Sequence, residues 1–218
     1  YIEQARDAGL HVIVRPGPYI CSEWDFGGLP WWLLKDGDMR VRCSYPPYLE
    51  AVAAYWDELI GRLAPLQASR GGPVIAMQVE NEYGWYGNDK AYLRFLSDGL
   101  TRRGIDILRF TADGASELMV RGGALPELFE ALDFGTRAEA AFEMLRRHRP
   151  DGPLCCMEFW NGWFTWWGEE KLKTQPAAAA AAALDEILAL GGSVNFYMGH
   201  GGTTFGFMNG ANLDAAGH

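Results

Sequence analysis

Long apolar runs are missing from this 218-residue sequence: none approaches the roughly 18 apolar residues of a membrane span. The Ala-rich stretch 177–183 soon meets Asp185 and Glu186, and Pro176 falls in its first turn, so it reads as a soluble-type helix. Basic charge is scarce. Against 28 Asp and Glu stand 19 Lys and Arg, a formal net charge of −9, which argues against nucleic acid or an anionic membrane as main partner and leaves a neutral substrate open. Metal-ligand spacing is absent from the four cysteines, Cys21, Cys43, Cys155 and Cys156, and the four His are scattered. The cysteines are expected to be core thiols, with Cys155 and Cys156 facing opposite ways on a strand. No signal peptide is recognisable, but the sequence opens at Tyr1 within an apparent helix, so compartment stays undetermined. No G-x-G-x-x-G follows a first strand, which counts against an open dinucleotide-binding sheet. Without repeats or linkers, residues 1–218 are expected to form one domain.

Aromatic residues are plentiful, at 13% with nine Trp, and several fall beside Gly and Pro where loops are expected. Strands are predicted at 11–20 (breaking at Pro16), 73–79, 106–114, 131–136, 153–160 and 193–202. Helices are predicted at 47–63, 90–104, 125–131, 138–148 and 176–190. In the first of these, Leu49, Val52, Trp56, Leu59 and Leu63 mark the apolar stripe. Alternating strands and helices imply a parallel sheet. The polar clusters end at least five of the six strands, which fits a barrel whose site gathers loops around one rim.

Three acids are placed on that rim: Glu82, Asp113 and Glu158. Two facing carboxylates, Glu82 and Glu158, suit glycosidic cleavage. The bland alternative makes each acid a surface residue or helix cap. A rival function uses the three as Mg²⁺ ligands in an enolase-like proton abstraction, yet no lysine base ends a strand and a metal would not account for Tyr83, Trp85, Phe159, Trp160 and Trp163. A sugar-binding module would use the rings without needing both acids. Parity alone cannot choose between Glu80 and Glu82, which fall on one face of the strand.

The segments "VRPGPYICSEWDFGGLPWWLL", "QVENEYG", "MEFWNGWF" and "NFYMGHGGTTFGFMNGAN" together resemble glycoside hydrolase family 35. The resemblance implies a (β/α)8 TIM barrel of which strands three to eight are visible, 1–218 being a partial catalytic barrel with its first two units missing. It implies a retaining exo-acting β-galactosidase with Glu82 as acid/base and Glu158 as nucleophile. It also implies that Cys21, Ser22, Glu23, Asn81, Trp163 and Tyr197 bind a β-galactoside, with no metal and no cofactor. Tyr197 is expected to donate to Glu158, and Glu80 to sit behind the site, paired with Arg15. A related exo-glycosidase such as a β-glucosaminidase is the runner-up. The chain departs from the family's usual pattern at Thr165, Trp166, Gly199 and Thr204. On this strand count, the isolated chain is expected to be inactive, with exposed sheet edges and the face of helix 1–10 formed by Ile2, Ala5 and Leu10 buried. The sequence leaves the oligomeric state open.

Overall fold

The computed structural model describes residues 1–165 and 169–200. Among the described residues six strands lie in chain order in one parallel sheet: β1 (Val12–Val14), β2 (Val74–Gln78), β3 (Leu108–Gly114), β4 (Phe129–Phe134), β5 (Cys155–Trp160) and β6 (Ser193–Tyr197). The helices are α1 (Ile2–Asp7), α2 (Pro46–Leu63), α3 (Tyr83–Tyr86), α4 (Lys90–Arg102), α5 (Glu117–Gly123), α6 (Ala138–His148) and α7 (Ala177–Ala189). Their starts are encoded locally. Asp89 accepts the Tyr92 amide at the head of α4, and Ser116 accepts the Met119 amide at the head of α5. Among the described residues no helix is long and apolar enough to cross a membrane.

The sheet is strongly curled. Arg15, just beyond β1, donates to Glu158 on β5. Four strand spacings of about 4.8 Å would put them roughly 19 Å apart in a flat sheet, far beyond an arginine's reach. The arrangement is that of an incomplete (β/α) barrel, with its concave side towards a lumen. One apolar cluster, Ala76, Phe110, Ala112, Ala131, Cys155 and Met157, is built from strand residues alone and marks that inner side. The other two clusters mix strand with helix residues and mark the outer side, Trp56, Leu93 and Leu96 in one and Leu132, Phe142 and Ile187 in the other.

β5 breaks the period-two rule. It advances from Cys156 to Glu158 while β4 advances only from Leu132 to Asp133, and from Cys156 to Phe159 while β6 goes from Val194 to Phe196. One extra residue therefore sits in β5, a β-bulge. Cys156 packs in an outer cluster and Met157 in the inner one. Simple alternation would send Glu158 outward; the bulge turns it inward.

Several expectations need correction. The helix expected at 125–131 is α5, one segment earlier, and its sequence ends in Gly122 and Gly123. A Cβ at Gly123 would overlap the Asp113 carboxyl, and one at Gly122 would crowd the Gly87 carbonyl, so only glycine lets α5 pack here. The 125–131 pattern instead feeds β4. The buried stripe of α2 is Tyr48, Val52, Trp56, Ile60 and Leu63, with Leu49 and Leu59 at its flanks. Leu10 is exposed rather than buried, and α1 has no fully buried residue. The first strand is only three residues long, and the last ends at Tyr197. The four cysteines are free thiols, Cys155 and Cys156 buried.

Candidate active site

The "QVENEYG" segment leaves β2 through two acids in left-handed backbone, Glu80 at φ 62 and Glu82 at φ 45. That conformation is costly for a residue with a Cβ and concentrates at functional sites. Here it splits two acids that alternation would keep together. Glu80 turns back into the protein. Its Oε1 accepts from Arg42 Nε at 2.9 Å and from the Tyr92 hydroxyl at 3.0 Å; its Oε2 accepts from Arg42 Nη2 at 2.8 Å and from the Asn81 amide at 2.6 Å. Four donors saturate a carboxylate, and at 1% exposure Glu80 meets no solvent or ligand. The expected partner, Arg15, is elsewhere; the cation is Arg42, clamped between the rings of Tyr19 and Tyr86 at 3.7 and 4.5 Å.

Glu82 turns into a cavity of about 320 Å³, together with Cys21, Glu23, Asn81, Glu158, Trp163 and Tyr197. Glu82 has no ion-pair partner among the described residues. Burial, helped by the Glu158 charge and opposed by Arg15, pushes its carboxyl up to about 7.

Glu158 is in the opposite condition. Arg15 Nη2 donates to one of its oxygens, and the Trp160 indole N–H donates to the other at 2.9 Å. Burial alone would lower the Arg15 guanidinium, but its neighbours, the Glu158 carboxylate above all, more than offset it, and it is raised. Arg15 also holds Gln78 Oε1 at 2.8 Å and donates to Asn81 Oδ1. The Asn81 oxygen is thereby taken by a cation, which assigns the amide and leaves its NH₂ for a ligand.

The loop after β1 places Cys21, Ser22 and Glu23 in three consecutive left-handed conformations, at φ 57, 57 and 48. Cys21 and Glu23 reach the cavity. Burial, with Glu158 nearby, raises the Glu23 carboxyl. Ser22 is not among the cavity residues; its hydroxyl donates to the Ile20 carbonyl at 3.2 Å. Tyr197 lines the cavity, and burial beside Glu158 pushes its hydroxyl up to about 12. The donors to Glu158 are Arg15 and Trp160 rather than Tyr197. Trp163 is half exposed, set edge-on against Trp160 with ring centres 5.6 Å apart.

Asp113 is not part of this group. It shares outer parity with Thr111, beneath α5, and accepts the Gly84 amide at 2.7 Å. The three acids read from sequence therefore do not converge; two do. Arg15 was missed as a site residue although its place at the C-terminal end of a strand was a usable signal. Thr165 and Gly199 are described outside any helix or strand, while Trp166 and Thr204 lie outside the described residues.

A carboxyl raised by burial shares one cavity with a carboxylate held by two donors and with the indoles of Trp160 and Trp163, at the C-terminal rim of a barrel sheet, an arrangement that suits glycoside hydrolysis. The family model for glycosyl hydrolases family 35 matches residues 1–217, and the chain belongs to that family. A protein of Bos taurus named beta-galactosidase is 46% identical over 217 residues, covering 98% of this chain and 33% of that protein. One of the same name from Xanthomonas manihotis is 45% identical over 215 residues, covering 98% of this chain and 36% of that protein. The chain thus spans about a third of the length of these curated relatives. Among solved structures, the Ignisphaera aggregans GH53 catalytic domain matches with a TM-score of 0.53 at 15% identity, over 88% of this chain and 64% of that one, a likeness of fold alone.

Proposed function

We propose that this chain supplies the catalytic residues of a retaining, exo-acting β-galactosidase. One observation carries the reading: the two cavity acids are placed differently, Glu82 with no ion-pair partner among the described residues and pushed up to about 7, Glu158 ion-paired to Arg15. The family membership and the names of the relatives support galactose as the sugar.

In this reading a terminal β-galactoside enters with its anomeric carbon facing Glu158. The carboxylate attacks that carbon as Glu82 gives its proton to the departing oxygen, leaving a covalent galactosyl-enzyme. Glu82, now ionised, takes a proton from water, and the resulting hydroxide displaces Glu158. The free NH₂ of Asn81 faces the ring hydroxyls, where a hydrogen bond that tightens as charge builds at the anomeric centre favours the transition state. Glu23 can accept from two neighbouring hydroxyls. Trp163 and Trp160 offer apolar faces to the ring.

The test is stereochemical. Proton NMR at early times, on the protein carrying this sequence with a nitrophenyl β-galactoside, should show β-galactose as first product. α-Galactose appearing first would overturn the assignment of Glu158 as nucleophile. A panel of nitrophenyl glycosides separates galactose from N-acetylglucosamine as the preferred sugar.

A further inference from the structure

Asp133, on β4, belongs to no motif and has no part in the mechanism above. Its place is unusual. It is the lateral neighbour of Glu158 across the β4–β5 bulge. It shares parity with Ala131, a member of the inner cluster, so its side chain faces the lumen. It is fully buried, at 0% exposure, and neither carboxyl oxygen has a hydrogen-bond partner among the described residues. An ionised carboxylate cannot persist in such a place without a donor or a dedicated cation. The cation that acts on it, Arg15, is already committed to Glu158, Asn81 and Gln78.

We propose that Asp133 is a positioning residue that carries its proton in the working enzyme, and that this neutrality leaves Arg15 committed to Glu158. The charged and titratable groups around it are Glu158 and the thiols of Cys155 and Cys156 on β5, Arg15 beyond β1, Glu82 beyond β2 and Asp113 on β3. Burial, then the Glu158 charge, raises the Asp133 carboxyl far above the usual range, with Arg15 opposing. Loss of this proton would set a second anion beside Arg15, draw the guanidinium from Glu158 and Asn81, and undo the fixed amide. The inference rests on the roles given above to Glu82 and Glu158.

The experiment compares the protein with its Asp133→Asn variant, which keeps the shape and removes the ionisation. The pH profile of kcat/KM should fall on its alkaline side by two protons in the parent, as Glu82 and then Asp133 ionise, and by one in the variant. The midpoint of the first step should stay in place. A midpoint moved to lower pH would overturn the proposal, because it would mean that an anion near Glu82 had been removed. An unchanged two-proton slope would overturn it too. Infrared difference spectra at neutral pH, parent minus variant, read the proton without turnover: a protonated-carboxyl C=O band that shifts in D₂O should appear. Its absence, or a variant that does not fold, overturns the proposal even if the protein proves inactive on galactosides, which would sink the functional reading alone.

Discussion

Two arginine–glutamate pairs flank Asn81, and they are built for opposite purposes. Arg42 and Glu80 form a closed pair: bidentate, nearly solvent-free, with Tyr92 and the Asn81 amide filling the remaining acceptor sites. Arg15 and Glu158 form an open pair at the cavity wall, where the arginine is spread over three acceptors and the carboxylate faces space large enough for a ligand. Both put an acid beside a guanidinium, so charge pairing does not distinguish them. What distinguishes them is whether every lone pair is occupied and whether a substrate can approach. The closed pair holds the backbone beside Asn81; the open pair is the one to which the proposed mechanism gives the chemistry.

Removing the acid of the open pair should have the largest effect. Glu158→Ala is expected to lower kcat by about 10⁴-fold or more on all galactosides, since no nucleophile remains. If nitrophenyl and dinitrophenyl substrates both survive, the open pair is not the reacting one. Next comes Glu82→Ala, expected to cost about 10²–10⁴-fold on poor leaving groups. A dinitrophenyl galactoside should still form the covalent intermediate, and azide should rescue turnover as β-galactosyl azide. Equal loss on activated and poor substrates would erase the division of labour between Glu82 and Glu158.

Arg15→Gln sharpens the comparison from the cation's side. It removes a charged donor from Glu158 and unfixes Asn81, with an expected loss of roughly 10²-fold in kcat/KM. The sign of its pH effect is definite. Arg15 lowers the Glu82 carboxyl, which nevertheless stands at about 7. The proposed mechanism needs Glu82 protonated, so the parent should lose activity through a first alkaline step near pH 7, and removing the cation should move that step to higher pH. A shift to lower pH would mean that Glu82 is not the group titrating. The smallest effect on catalysis should come from the closed pair. Glu80→Gln breaks a buried ion pair and should lower unfolding free energy by about 3–5 kcal/mol, while the fraction that stays folded keeps its substrate preference and its alkaline step. Denaturant melts combined with pH profiles separate the two; a moved alkaline step without loss of stability would reverse the roles of the pairs.

Much of this was legible in advance. The order of elements and the parallel sheet follow from apolar periodicity and caps, and α6 was read at its observed bounds. Helix α5 was not, because "SELMVRGG" is short and glycine-rich, while its reason for ending, the approach of Asp113 and Gly87 to Gly123 and Gly122, involves residues distant in sequence. Of the site residues, Cys21, Glu23, Asn81, Glu82, Glu158, Trp163 and Tyr197 meet in one cavity. Ser22 turns aside, and Asp113 belongs to the outer face. Arg42 sits in a loop with no periodicity to read, and Asp133 lies in a short strand outside the four motifs.

By itself the sequence determined the order of the strands and of the longer helices, that the sheet is parallel, and which motif-bearing residues stand at its C-terminal ends. Those properties depend on neighbours a few positions away. Which acid faces the cavity was decided only by the tertiary structure. Strand alternation is a period-two rule. The left-handed turns at Glu80 and Glu82 break it in one segment, and the extra residue in β5 breaks it in another, turning Glu158 from the helices to the lumen. Arg15 meets Glu158 across 143 residues, a contact set by the curl of the whole sheet. Neither break in alternation nor curl is a property of any short stretch, because each arises from how the strands fit against one another.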